Sequence, residues 1–284
     1  MGVEITHRAV GTNLVQMILS IDLLDRNTHG VSWLPLYHDM GLSMIGFPAV
    51  YGGHSTLMSP TAFVRRPQRW IQALSDGSRQ GNVVTAAPNF AYEWAAQRGL
   101  PSRGADIDLR NVVMIIGSEP VSIDAMKTFN KAFAPYGLPK TAFKPSYGIA
   151  EGTLFVATIA PSAEATAAYF DRERLGAGHA VRVDADSPNA VPQVSCGQVA
   201  RSEWAVIVDT ASGSELRDGA VGEIWLRATM SAAATGACRT RRGGHSAPCS
   251  NRGSPTAAMR RAPIWTALGC APATWACIST VSCM

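Results

Sequence analysis

Between residues 31 and 144, short apolar runs alternate with amphipathic stretches, and few folds accommodate that order. Residues 31–36, 55–58, 82–86, 112–117 and 141–144 have strand length and strand composition. Residues 67–75, 90–97 and 123–133 lie between them with apolar positions at three- and four-residue steps, which predicts helices. Trp70, Ile71 and Leu74 share one face of the first of these. A helix over 4–24 precedes the series, with Thr6 as its N-cap and Val10, Leu14, Met17, Ile18 and Ile21 on its apolar face. Another apolar helix runs from Leu42 to Tyr51 and stops at Gly52-Gly53; Ser122 caps the helix at 123–133. Strands that alternate with helices form a parallel sheet covered on both faces. Past Thr158 the pattern changes to short β-rich runs at 191–195, 205–208 and 222–226, separated by turns such as Asp218-Gly219, which predicts a small antiparallel lobe. The domains expected are an α/β unit over 1–158, a β-rich lobe over 159–227, and a tail over 228–284.

Polar turns follow three of the apolar strands. One is Tyr37-His38-Asp39-Met40, a second Gly117-Ser118-Glu119-Pro120, and a third Ser146-Tyr147-Gly148-Ile149-Ala150-Glu151. In an open α/β sheet ligands sit outside the carboxyl ends of the strands. A ring there can stack on a nucleobase, and a carboxylate can hold a divalent ion against phosphates. Each turn also has a plainer reading. His38 either hydrogen-bonds a carboxylate or phosphate oxygen or packs as a satisfied core residue, and Glu119 and Glu151 equally fit solvated surface charges. Their repeated placement at strand ends favours one convergent site.

Charge does not point to a nucleic-acid partner. The chain carries +4, but residues 228–284 hold six arginines and no Lys, Asp or Glu. The remainder has nineteen basic against twenty-one acidic residues, or −2. Five of the six cysteines also lie in the tail, at spacings that fit no zinc pattern. No apolar run reaches the roughly 18 residues of a membrane span. The first residues carry no basic segment followed by an apolar core. A cytoplasmic protein is the expectation.

Four motifs carry a resemblance: Trp33-Leu-Pro-Leu-Tyr-His-Asp-Met-Gly-Leu42, Gly117-Ser-Glu-Pro120, Ser146-Tyr-Gly-Ile-Ala-Glu151 and Gly222-Glu-Ile-Trp225. In this order and spacing they resemble the adenylate-forming (AMP-binding) superfamily. Within it the chain is similar to the long-chain fatty-acyl-AMP ligases, nearest the branch that serves mycolic-acid synthesis. Supporting segments are Arg66-Pro67-Gln68-Arg69-Trp70, Ala87-Pro88-Asn89-Phe90-Ala91-Tyr92 and Val194-Ser-Cys-Gly197. The resemblance covers 2–226 and implies that a long-chain fatty acid and ATP give acyl-AMP and pyrophosphate. The acyl group then passes to an acyl carrier domain of a polyketide synthase. It further implies that Gly117, Ser118, Glu119 and Pro120 line the adenine and that Tyr147 stacks on it. Ser146, Gly148 and Ala150 contact the nucleotide, Glu151 holds Mg2+, and His38 sits near the acyl carboxylate and α-phosphate. Residues between 154 and 194 correspond to an insertion that separates these ligases from acyl-CoA ligases. A fragment of an acyl-CoA synthetase and a non-catalytic nucleotide-binding module are the alternatives.

The chain departs from the family pattern where the phosphate loop, the ribose-binding Thr-Gly-Asp and the catalytic lysine are expected, so the polypeptide as it stands is expected to be inactive. The tail has a specific explanation. With suitable synonymous codons and one base of displacement, residues 228–237 read Gly-Asn-Asp-Val-Gly-Arg-Gly-Tyr-Trp-Gly, the family motif expected at that point. The same displacement over 262–284 recovers Thr-Gly-Asp. An out-of-frame tail has not been selected to fold and is expected to be disordered.

Overall fold

The computed structural model describes residues 2–24, 28–201, 203–228, 234–236 and 262–267. The elements in chain order begin with β1 (Gly2–Glu4), α1 (His7–Ser20), β2 (His29–Ser32), α2 (Asp39–Tyr51) and β3 (His54–Leu57). Then come α3 (Pro60–Arg65), α4 (Gln68–Ser78), β4 (Val83–Ala87), α5 (Asn89–Arg98), β5 (Val112–Ile116) and α6 (Ile123–Phe133). The second half holds β6 (Phe143–Gly148), β7 (Phe155–Thr158), β8 (Ala167–Asp171), α7 (Arg172–Gly176), β9 (Ala190–Val194) and β10 (Gln198–Val199). β11 (Glu203–Val208), β12 (Val221–Ala228), β13 (Ala234–Gly236) and β14 (Ala262–Ala267) follow.

The main sheet has the order β10-β7-β6-β5-β4-β2-β3. Its pairs from β3 through β2, β4 and β5 to β6 are parallel, and β7 and β10 add antiparallel at one side. Side chains alternate across a strand, so Val83 and Ala87 of β4 and Val112, Met114 and Ile116 of β5 face one core. There they meet Trp70 of α4, Tyr92 of α5, and Phe129 and Phe133 of α6. Val84, Ala86 and Ile115 face the other core, with Leu14 and Met17 of α1 and Met44 and Phe47 of α2. Helices therefore cover both faces, as the alternating pattern predicts. A third cluster joins Tyr147, Val156 and Ala157 to Cys196, Ile207 and Ile224 of the β-rich part.

Thr6 caps α1 by accepting from Ala9 N at 3.1 Å, and Ser122 caps α6 through Ala125 N at 3.1 Å, as expected. Gly52 ends α2 with φ +85°, a conformation that costs glycine little. Several boundaries differ from the sequence reading. β6 runs on from Phe143 to Gly148, so Ser146, Tyr147 and Gly148 lie in the strand, paired with β7, rather than in the turn that follows it. Residues 2–4 form β1 rather than the start of the helix, because they pair with β13. β2 ends at Ser32, where its hydroxyl accepts Leu34 N at 3.1 Å and Pro35 has no N–H to continue a ladder. α3 was hidden within a Pro- and Arg-containing stretch whose apolar spacing is too short to register. β11 pairs with β12, which pairs in turn with β14, and β8 forms a hairpin with β9. These are the small antiparallel sheets expected past Thr158. β10 returns to the main sheet on β7. Of the tail at 228–284, Ala228, β13 and β14 are described; the remainder of that expectation lies outside the described residues.

Candidate functional site

β2, β4, β5 and β6 are consecutive in the sheet and parallel, so the loops that follow them open along one edge. Direct contacts bring the three polar turns together there. A Cβ built on Gly117 would stand 2.5 Å from the Ser146 carbonyl oxygen, so only glycine lets the second turn lie against the third. Ser118, held at φ +64°, places its Oγ 3.7 Å from Met40 Sδ at the start of α2, which joins the second turn to the first. Gly148 is equally constrained: an added Cβ would fall 1.9 Å from the Leu154 carbonyl oxygen.

His38 is the N-cap of α2, and 48% of its side chain is exposed. Its Nδ1 lies 2.7 Å from Asp39 Oδ1 and 3.2 Å from Met40 N. These two contacts demand opposite protonation of Nδ1. Two lone pairs at 2.7 Å would repel, so Nδ1 carries the proton and donates to Asp39 Oδ1, which also accepts Met40 N–H at 2.7 Å. The carboxylate thereby orients the ring through Nδ1 and leaves Nε2 facing away from it.

Glu119 is half-buried, and its Oε1 accepts Asn89 N–H at 2.7 Å, at the start of α5. Asn89 closes the latch with its side chain: Nδ2 donates to Pro120 O at 2.8 Å, and Oδ1 accepts Ser122 N at 2.9 Å. Pro120 itself is exposed. Ser146 Oγ sits 3.0 Å from Lys144 O and 2.9 Å from Thr158 Oγ1, so its hydroxyl is tied to β7. Tyr147, 6% exposed, packs in the third cluster and offers a base only a narrow strip of ring.

Ala150 and Glu151 lie in a single 3-10 turn ahead of Thr153, whose φ is +73°. The Glu151 carboxylate is half-buried and makes no hydrogen bond or ion pair among the described residues. No group of three metal-ligating side chains occurs among those residues. Mg2+ in phosphate-transfer sites is commonly held by one or two carboxylates together with substrate phosphates and waters. One free carboxylate in a turn at the sheet edge is compatible with that mode.

Three features escaped the sequence reading. Asn89 positions Glu119; its segment Ala87–Tyr92 carries part of the resemblance, but nothing in the sequence ties its side chain to Pro120 and Ser122. Lys144 is 2% exposed, and its Nζ donates to the carbonyls of Ala160, Pro161 and Ala163, at 2.6 Å in the case of Pro161. Burial pushes its pKa down to about 8. An apolar cavity of about 360 Å³ between α1 and α2, lined by Leu14, Leu42, Ile45 and Leu154, opens beside Asp39 and Thr153.

A parallel sheet covered on both faces, with polar turns along its carboxyl edge, is an architecture shared by many α/β enzymes that bind ligands at that edge. Residues 2–233 match the AMP-binding enzyme family, and the chain belongs to it. It is 48% identical over 229 residues to the long-chain-fatty-acid–AMP ligase FadD32 of Mycolicibacterium smegmatis, covering 79% of this chain and 36% of that protein. To FadD32 of Mycobacterium marinum it is 51% identical over 228 residues, again 79% of this chain and 36% of the relative. The chain thus spans about a third of the length of these curated relatives. A crystal structure of a fatty acid AMP ligase from Legionella pneumophila superimposes with a TM-score of 0.74 at 30% identity, over 81% of this chain and 40% of that one. No helix among the described residues is long and apolar enough to cross a membrane.

Proposed function

We propose that this chain is the nucleotide-site portion of a fatty-acid–AMP ligase. In that reaction a long-chain fatty acid's carboxylate oxygen attacks the α-phosphorus of ATP. The bond from that phosphorus to the bridging oxygen breaks, and pyrophosphate leaves. The convergence of the three turns, through Gly117 on Ser146 and Ser118 on Met40, carries the reading. His38, oriented by Asp39, is positioned for the acyl carboxylate and the α-phosphate. Gly117 to Pro120 border the adenine, and Tyr147 presents its ring edge to it. Ser146, Gly148 and Ala150 form the wall of the nucleotide turn. Glu151 would hold Mg2+, which supplies neutralisation of phosphate charge. The apolar cavity beside Asp39 suits a hydrocarbon chain. The hairpin of β8 and β9 falls where the resemblance puts the ligase insertion, which favours delivery to an acyl carrier domain of a polyketide synthase, in the mycolic-acid branch, over a free CoA thioester.

The tail is proposed to be out of frame. The family match ends at residue 233, close to where the displaced reading begins to restore family motifs. The 284-residue polypeptide contains no Thr-Gly-Asp and is expected to form no acyl-AMP. Resequencing the DNA around codons 226–230 tests the frame. The corrected gene product is then incubated with a long-chain fatty acid, ATP and Mg2+ and its products separated. Acyl-AMP without CoA thioester is the expected result. A CoA thioester would favour an acyl-CoA synthetase, and absence of both would defeat the adenylation reading.

A further inference from the structure

One side of α1 faces solvent along its whole length. Arg8 and Asp22 are exposed, Val15 is 43% and Leu19 44% exposed, and Gly11 is half-buried. Leu14, Met17 and Ile18 of the same helix lie in the core. The steps from Arg8 through Gly11, Val15 and Leu19 to Asp22 are three, four, four and three residues, so the helical positions fall on one line of the surface. That spacing is symmetric about Val15. Gly11 and Leu19 stand four residues to either side of it, and Arg8 and Asp22 stand seven. Asp22 lies just past the helix end at φ +56°, in a turn closed by Leu23 N–H donating to Ile18 O at 2.9 Å. An added Cβ on Gly11 would meet nothing within 4 Å, so the space over it is open to another side chain.

The charges at the two ends are placed against the helix's own dipole. A helix N-terminus favours anions and a C-terminus cations, yet the first turn of α1 holds no acid and the last turn no base. Arg8 sits in that first turn and Asp22 follows the last. Neither forms an ion pair among the described residues. A second copy of α1 laid antiparallel corrects both mismatches, because it brings its C-terminal end and Asp22 to Arg8, and its N-terminal end and Arg8 to Asp22. We propose that this face of α1 is the contact of a two-fold-symmetric dimer of the chain, with the axis at Val15. Val15 then meets the partner's Val15, and Leu19 enters the gap over the partner's Gly11. The same patch serves on both copies, as an isologous interface requires. α1 has 14 residues, roughly 21 Å at about 1.5 Å each, which is short for a tight interface and makes the dimer reversible. Asn13 donates from the same helix to Phe155 O at 2.8 Å, so the contact helix is fastened to the sheet. No residue of the nucleotide turns takes part in the contact.

Sedimentation equilibrium of the full chain tests this, at low salt and under reducing conditions that keep the cysteines of residues 228–284 from cross-linking. The mass should rise with concentration to twice that of one chain and stop there. Arg8→Glu alone places like charges at both symmetric contacts, and so does Asp22→Lys alone. Each should raise the dissociation constant at least about fivefold. Mixing the two single variants sets opposite charges at both contacts again and should restore a dimer with one copy of each. Circular dichroism verifies that each variant is folded. If lysine disrupts the left-handed turn, asparagine is accepted there, and Asp22→Asn added to Arg8→Glu should recover part of the lost affinity. A monomer at every concentration overturns the proposal, as does a mass that passes the dimer without a plateau. Association that both charge reversals leave unchanged also overturns it and places the contact on another surface. Weakening by each reversal without recovery in the mixture, or in the asparagine variant where lysine disrupts the turn, shows that α1 does not pack on its own copy.

Discussion

At the level of single residues, Lys144 and Glu203 are two buried ionisable groups of different character among the described residues. Lys144 is buried but satisfied by three carbonyls. Glu203, at the start of β11, has neither carboxylate oxygen hydrogen-bonded, and burial raises its pKa from 4.5 to about 8. A carboxyl whose folded pKa lies above its unfolded value favours the fold while protonated. That contribution is complete below about pH 4.5 and lost as the pH rises to about 8. Glu203→Gln should therefore raise the thermal midpoint at pH 8 by at least about 2 °C, with the gain shrinking toward pH 4.5. A calorimetric pH series checks this, and an equal gain at both ends would remove the titration argument. Asn89 is the second residue-scale case. Asn89→Ala removes the bonds to Pro120 O and Ser122 N and should cost about 1–2 kcal/mol. Faster hydrogen exchange at the Ser122 amide would show that the loss is local to the turn at 117–122.

Between elements, the decisive tie is a side chain acting as a strand partner. Asn13 of α1 donates Nδ2–H to Phe155 O at 2.8 Å and accepts Phe155 N–H at Oδ1 at 2.9 Å. The pair is buried and fastens α1 to β7, directly after the turn that carries Glu151. Asn13→Ala would strand two backbone groups of β7 away from water, with an expected loss of about 2–4 kcal/mol in urea unfolding. A loss well under about 1 kcal/mol would mean that water or other groups replace the amide. On the opposite face, Trp70 donates Nε1–H to Thr85 Oγ1 at 3.2 Å, and Thr85 donates in turn to Val31 O at 2.7 Å, so α4 is keyed to β2 and β4 together.

For the whole molecule, the unusual property is apolar surface. Tyr37 is 93% exposed and Leu42 52%, and Val15, Leu19 and Leu24 are exposed nearby in sequence along and after α1. Val15 and Leu19, one turn apart on α1, set exposed apolar side chains side by side, and exposed apolar surface favours association. Light scattering of the 284-residue chain should show a mass that grows with concentration, and Val15→Lys with Leu19→Lys should reduce it. A monodisperse monomer at every concentration would contradict the expectation.

What the sequence determined by itself was periodic and local. Strand-length apolar runs alternating with helical ones specify a parallel sheet with helices on both faces, and Thr6, Ser122 and Gly52 announce their caps through side-chain and backbone chemistry alone. The polar turns at 38–39 and 117–120 were legible for the same reason, since each follows an apolar run, whereas of 146–151 only the end is a turn, because pairing with β7 carries β6 on to Gly148. Only the tertiary structure decided that β2, β4, β5 and β6 are neighbours, that Asn89 holds Glu119, that Tyr147 is largely buried, and which side of α1 stays exposed. Each of these depends on contacts between residues distant in the chain, set by packing across the sheet, and no short-range pattern encodes them.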